Sequence, residues 1–289
     1  MSLLKNWNVG GGRILSPPLV FGIINLTPDS FYDGGNFMCQ QAAVARAKEF
    51  ATAGVQVLDL GAESTRPGAR ELDLADEWQR LESVLAEILP FCVERSTLVS
   101  VDTYRAETAE RALLLGAQII NDVSAFAFDP GLKEVLLEHK PGYVLMHSQG
   151  RPSTMQAAPV YKNVVQEVVD FLSRKMDELL KGGFPEDRIM LDPGIGFGKT
   201  LQHNLDLLRG LERLKSLGRP LLLGVSNKSF LGELLGLAVH ERQTATQALT
   251  ALLASQGVEA HRVHEAVSTL QTLHLTYSLF FDGVSASSV

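Results

Sequence analysis

Eight short apolar runs recur along the chain: PLVFGIINLT, VQVLDLG, TLVSVDT, QIINDV, YVLMH, RIMLDPG, PLLLGVSNK and the less apolar VEAHRVHE. Each breaks off at a polar residue. Within the runs apolar side chains are continuous rather than alternating, which suits parallel strands covered on both faces. The stretches between them have helical spacing, and helices are predicted near 41–54, 74–89, 106–115, 130–139, 161–182, 201–217, 243–256 and 265–279. Strand then helix, repeated, predicts an α/β fold, a (β/α)8 TIM barrel. An open doubly wound sheet alternates in the same way, but eight units of similar length with no central break favour closure. Residues 1–18 hold Gly10, Gly11, Gly12 and the pair Pro17-Pro18. They are expected to form a short N-terminal hairpin or cap on a single barrel domain spanning 19–289.

Composition narrows the setting. A length of 289 residues suits one barrel, which typically takes about 250. A net charge of -7 offers no basic stripe to neutralise phosphates, so neither nucleic acid nor an anionic membrane surface is an expected partner. Cys39 and Cys92 are far apart and outside any metal-ligand spacing, as expected of ordinary reduced thiols. The run Leu19 to Ile24 is too short for a signal-peptide core, and none approaches the ~20 apolar residues of a membrane span. The expected location is the cytoplasm.

In a barrel the C-terminal strand ends form one mouth. The polar breaks Asn25, Asp59, Asp102, Asn121, Asp122, His147, Asp192, Lys228, Arg262 and His264 therefore converge there. Asp59 and Asp122 are expected to bond backbone N–H groups of the following turn, and His147 reads as a satisfied core histidine. Asp102, Asn121 and Asp192 offer the acceptors and the amide edge that read a flat heterocycle bearing amino and amide groups. Such a site discriminates strongly, because a wrong ligand leaves buried polar groups unpaired. Lys228, Arg66, Arg262 and His264 supply cations suited to a phosphorylated or pyrophosphorylated substrate. Arg262 and His264 stand two apart on one strand and so face the same way.

The segment DPGIGFGKT, Asp192 to Thr200, has Pro193 where a P-loop requires glycine. It reads instead as a glycine-rich strand-to-helix loop in which Phe197 can cover a flat ligand. His261 and His264, three apart on a strand, face opposite ways and make no metal pair.

Taken together, the segments GIINLTPDSFYDGG from Gly22, GAESTRPGA from Gly61, VDTYR from Val101, NDVS from Asn121, MH at 146, LDPGIGFGK from Leu191, VSNKSF from Val225 and RVHE from Arg262 closely resemble the dihydropteroate synthase family of pterin-binding barrels. The match spans almost the whole chain. It implies a homodimeric barrel that joins 6-hydroxymethyl-7,8-dihydropterin diphosphate to 4-aminobenzoate and releases pyrophosphate, with C–O cleavage running ahead of attack and Mg²⁺ assisting departure. By the same resemblance, Asp102, Asn121, Asp192, Lys228, Met146 and Phe197 match the pterin positions, and Asn25, Thr65, Arg66, Arg262 and His264 the diphosphate positions. Thr65, Pro67, Phe197, Lys228 and Ser229 match the aminobenzoate positions, Asn25 the metal-linked one, and Lys228, Asp102 and Asp192 the catalytic ones. The loops TPDSFYDGG and STRPG are expected to close over the mouth.

Three positions depart from the family pattern: Asn227 where arginine is common, Ala125 where glycine is common, and Glu265 where aspartate is common. A barrel that passes on a folate methyl group would need the ring-binding aspartates but not Asn25, Thr65, Arg66 and His264. An aldolase would use Lys228 as a Schiff base, and a non-catalytic relative would bind pterin without turnover. The motif set favours the synthase.

Overall fold

The computed structural model describes residues 4–26, 35–63, 71–157 and 159–281, with side chains from Gln40 onward in the first helix. A hairpin of β1 (Trp7–Gly10) and β2 (Arg13–Leu15) precedes eight parallel strands. These are β3 (Leu19–Asn25), β4 (Val57–Gly61), β5 (Leu98–Asp102), β6 (Ile119–Asp122), β7 (Gly142–Met146), β8 (Ile189–Asp192), β9 (Leu222–Leu223) and β10 (Ala260–Val263). Their spatial order is β8-β7-β6-β5-β4-β3-β10-β9. A parallel bridge between Leu191 and Leu221 joins the two outer strands and closes the ring. The chain is a (β/α)8 barrel.

The helices are α1 (Gly35–Thr52), α2 (Leu74–Glu94), α3 (Ala106–Leu115), α4 (Gly131–His139), α5 (Val164–Lys181), α6 (Leu201–Arg209), α7 (Leu211–Lys215), α8 (Ser229–Leu235), α9 (Gln243–Ser255) and α10 (Ala266–Phe280). Four differ from the spacing-based expectation. α1 begins at Gly35, six residues before the expected start near 41. α2 runs through Pro90, where a stop was predicted, because its buried stripe of Leu81, Val84, Leu85, Ile88 and Cys92 continues past the proline. The stretch 201–217 splits at Gly210, where a side chain would press on Val165 at 2.8 Å. α8 was not predicted; its seven residues are too few to give a periodic signal, and it ends at Gly236 in the left-handed conformation.

Strand alternation sorts the side chains. Leu19, Phe21, Val57, Leu98, Ile119, Val144, Met190, Leu222 and Ala260 pack together inside the barrel, and Trp7 and Val9 of the hairpin close this core at its N-terminal end. The Trp7 indole donates to the Arg188 carbonyl at 2.9 Å. Residues two or four positions further along the same strands face the same interior, nearer the mouth. Those are Asp59, Ser100, Asp102, Asn121, Met146, Asp192 and Arg262. The apolar interior therefore ends where the polar set begins, and the opposite strand faces bury the surrounding helices.

Candidate active site

Register brings the polar residues to one level. Asn25 pairs with Gly61, Gly61 with Asp102, and Asp102 with Asn121, while Met146 pairs with Asp192. Across the interior the Arg262 guanidinium links two carboxylates: Nε donates to Asp59 Oδ2 at 2.6 Å and an Nη to Asp102 Oδ2 at 2.7 Å. The Asn121 amide nitrogen also donates to Asp59 Oδ2, at 3.0 Å. Asp59 is fully buried, and its Oδ1 has no partner among the described residues; the hydroxyl of Ser100, its register neighbour, has none either.

Asp59 is thus a correction to the sequence reading. Among the described residues it bonds no following turn but sits under the mouth, tied to Asn121 and Arg262. Arg262, expected as a diphosphate cation, has its charge taken up by two carboxylates. Asp122 does bond its turn: Oδ1 accepts from the Ser124 N–H at 2.7 Å and Oδ2 from the Phe126 N–H and the Tyr143 hydroxyl, the last at 2.9 Å. Those bonds hold Ala125 and Phe126, both at left-handed φ near 50°, a conformation costly for residues other than glycine.

The loop after β8 makes the other wall. Asp192 Oδ1 accepts from the Gly194 N–H at 2.7 Å. Lys199 is buried and donates to the carbonyls of Gly194 at 2.9 Å and Phe197 at 3.0 Å, with the His147 ring nitrogen Nδ1 at 3.0 Å. A lysine cation has no acceptor, so Nδ1 accepts and the ring proton lies on Nε2. His147 is the satisfied core histidine expected. Lys199 was passed over in the sequence once Pro193 removed the P-loop reading; its partners are backbone carbonyls brought near only by the fold. The loop so tied presents Phe197, and the Lys228 ammonium lies 4.1 Å from that ring's centroid. Phe197 packs with Met146, Tyr104, Val123 and Met155 as an apolar wall.

Lys228 precedes α8, and exposed Ser229 begins it. Asn227 takes a left-handed φ of 56°, which asparagine tolerates better than other side chains do. Its carbonyl accepts from Arg242 at 3.1 Å. His264 Nδ1 lies 2.9 Å from the Ser226 hydroxyl, and Glu265 pairs with Arg46 at 3.2 Å. Thr65, Arg66 and Pro67, and both loops expected to close over the mouth, lie outside the described residues.

Burial shifts the site's titrations. It pushes Asp102 up to about 7 against the pull of Arg262, with Asp59 and Asp122 adding to the rise. It pushes Asp192 up to about 6 against the Gly194 N–H and Lys228. Burial and the neighbouring Arg262 bring Lys228 down to about 8. For Arg262, burial opposes the charge, but the Asp59 and Asp102 carboxylates hold it above the usual guanidinium range. Lys199 comes down to about 7 by burial, and burial beside Lys199 holds His147 neutral at about 2.

Among the described residues no group of three or more His, Cys, Asp or Glu side chains could hold a metal ion. Asn25 offers a hard oxygen donor at the end of β3. Its register neighbour is Gly61, which puts no side chain between Asn25 and Asp102 along that level of the sheet. One amide oxygen with room beside it fits a cation that keeps most of its waters and takes further oxygens from a substrate.

A closed barrel whose mouth gathers two carboxylates, a carboxamide and a lysine against an aromatic ring is built to hold a flat, amino-bearing heterocycle. Residues 21–264 match the pterin binding enzyme family. The dihydropteroate synthase of Neisseria meningitidis serogroup C is 42% identical over 274 residues, covering 92% of this chain and 95% of that protein. The crystal structure of Yersinia pestis dihydropteroate synthase with a sulfonamide drug complex superposes with a TM-score of 0.87 at 33% identity, covering 95% of this chain and 99% of that one. The Xanthomonas albilineans enzyme with 4-aminobenzoic acid gives 0.87 at 36% identity, covering 96% and 98%. The chain belongs to the pterin binding enzyme family, in its dihydropteroate synthase branch.

Proposed function

We infer that this chain condenses 6-hydroxymethyl-7,8-dihydropterin diphosphate with 4-aminobenzoate to give 7,8-dihydropteroate and pyrophosphate, a step of folate biosynthesis. The observation that carries this reading is the grouping of Asp102 and Asn121 at adjoining strand ends with Asp192 two strands on, opposite Lys228 over Phe197. The relatives' activity and the Xanthomonas complex with 4-aminobenzoic acid support it.

The ring would lie against Phe197 and Met146, its amino and amide groups bonded to Asp102, Asn121 and Asp192. In a dissociative substitution the C–O bond to diphosphate breaks first and leaves positive charge on the ring and its methylene. Asp102 and Asp192, fixed before the reaction, stabilise that charge where it develops. The aminobenzoate nitrogen then forms the new C–N bond and gives its extra proton to the released diphosphate. Lys228, at the junction of ring and incoming amine, holds both in line; the diphosphate is assigned to Asn25, Thr65, Arg66 and His264, with Arg262 behind them. Mg²⁺ held through Asn25 would supply charge neutralisation to the departing diphosphate. Thr65, Pro67, Phe197, Lys228 and Ser229 are the residues proposed to meet 4-aminobenzoate.

Lys228→Met tests this assignment. Loss of one such cation is expected to lower kcat/KM about 10²-fold or more, read as aminobenzoate-dependent pyrophosphate release, with the thermal midpoint little changed. Native-like turnover in the variant would remove Lys228 from the mechanism. The reading also places the protein in the cytoplasm; no helix of the described residues is long and apolar enough to cross a membrane.

A further inference from the structure

An amide side chain can read a ring in two senses. With the carbonyl oxygen at one end and the N–H at the other, it matches a donor beside an acceptor; rotated half a turn, it matches the reverse. Nothing within the amide itself chooses between them. In this barrel the choice is made from below, because a carboxylate accepts hydrogen bonds and donates none. Asp59 Oδ2 takes one Asn121 amide hydrogen at 3.0 Å and the Arg262 Nε hydrogen at 2.6 Å. A flipped amide would set its oxygen against that carboxylate in a buried place, oxygen facing oxygen, and leave the amide oxygen there without a donor.

We propose that Asp59 is a positioning residue that sets ring selectivity by locking the sense of the Asn121 amide. With one amide hydrogen held, Asn121 presents its oxygen and its second hydrogen to the ligand in a fixed order. Arg262, held by the same oxygen, is also kept against Asp102 at 2.7 Å. The proposal rests on the pterin-binding reading and deepens it. A pterin carries an amino donor beside a ring-nitrogen acceptor on its 2-amino edge; a lumazine, with oxygen in place of that amino group, carries an acceptor beside an N–H. The locked amide matches the first, and the flipped amide the second.

Binding of 6-hydroxymethylpterin and 6-hydroxymethyllumazine to the native chain and to Asp59→Ala tests this by fluorescence or calorimetric titration. The native protein is expected to prefer the pterin by about tenfold or more, and Asp59→Ala to bring the ratio to within about threefold, because the amide is then free to turn. A residue that only supported the fold would weaken both ligands together and leave the ratio intact. A folded Asp59→Ala protein with the native ratio overturns the proposal. Should that variant not fold, neutron diffraction from the native protein with pterin bound decides: amide deuterons toward Asp59 support the lock, and the Asn121 oxygen toward Asp59 overturns it. A native chain that binds neither ring overturns the pterin-binding reading itself, and this inference with it.

Discussion

Lys228 and Asp192 meet the substrate in opposite charge states, and burial has moved both toward neutrality from opposite sides. Asp192 lies near 6, so it is protonated and a poorer acceptor below that pH; Lys228 lies near 8, so it loses its charge above it. The kcat/KM for the pterin substrate is therefore expected to fall on the acid side as Asp102, near 7, and then Asp192, near 6, take up protons, and on the alkaline side of about 8 as Lys228 loses its charge. Lys228→Arg, whose guanidinium does not titrate there, should lose the alkaline limb; a flat profile from pH 5 to 9 in the native protein would contradict the assignment. The residues concerned were legible in the sequence because each ends an apolar run and so stands at the barrel mouth. Asp59 was not. Its partner Arg262 is 203 residues away along the chain, so only closure of the barrel reveals what it holds.

At the scale of elements, the loop from Asp192 to Thr200 and the turn after β6 carry the most specific contacts. At Gly194, with φ +69°, a Cβ would stand 1.9 Å from the His147 carbonyl oxygen. Gly194→Ala must therefore move β7 or the loop, and is expected to destabilise the protein by about 3 kcal/mol or more in urea unfolding. Lys199→Met strands the carbonyls of Gly194 and Phe197. A stability loss of about 2–3 kcal/mol is expected, together with weaker 4-aminobenzoate binding as Phe197 loses its support; unchanged binding would separate Phe197 from that substrate. The helices around these loops were legible where a long apolar stripe exists, as in α5, whose buried face runs from Val164 to Leu179. α8 was missed because its seven residues give no such stripe. Its start one residue after Lys228 nevertheless aims that side chain.

The whole molecule follows from repeated strand and helix units, and closure through Leu191 and Leu221 unites residues scattered from 25 to 264. That much was legible because parallel strands covered on both faces must be continuously apolar. Assembly was less so: the alanines of Ala245 to Gly257 suit a barrel contact as well as a dimer contact. The surface carries exposed Leu252 on α9 and Leu275, Leu279 and Phe280 on α10, two helices packed side by side. Apolar side chains gathered this way mark association sites. We propose that they pair two copies of the chain, and expect Leu275→Asp with Leu279→Asp to sediment as a monomer where the native protein sediments as a dimer. A monomeric native protein would contradict this. The central claim is the condensation itself, and it is tested most directly by incubating the purified chain with 6-hydroxymethyl-7,8-dihydropterin diphosphate, 4-aminobenzoate and Mg²⁺, then quantifying 7,8-dihydropteroate and pyrophosphate together. One pyrophosphate for each dihydropteroate, with neither formed when 4-aminobenzoate is omitted, is the expected result; tight pterin binding without dihydropteroate would contradict the account.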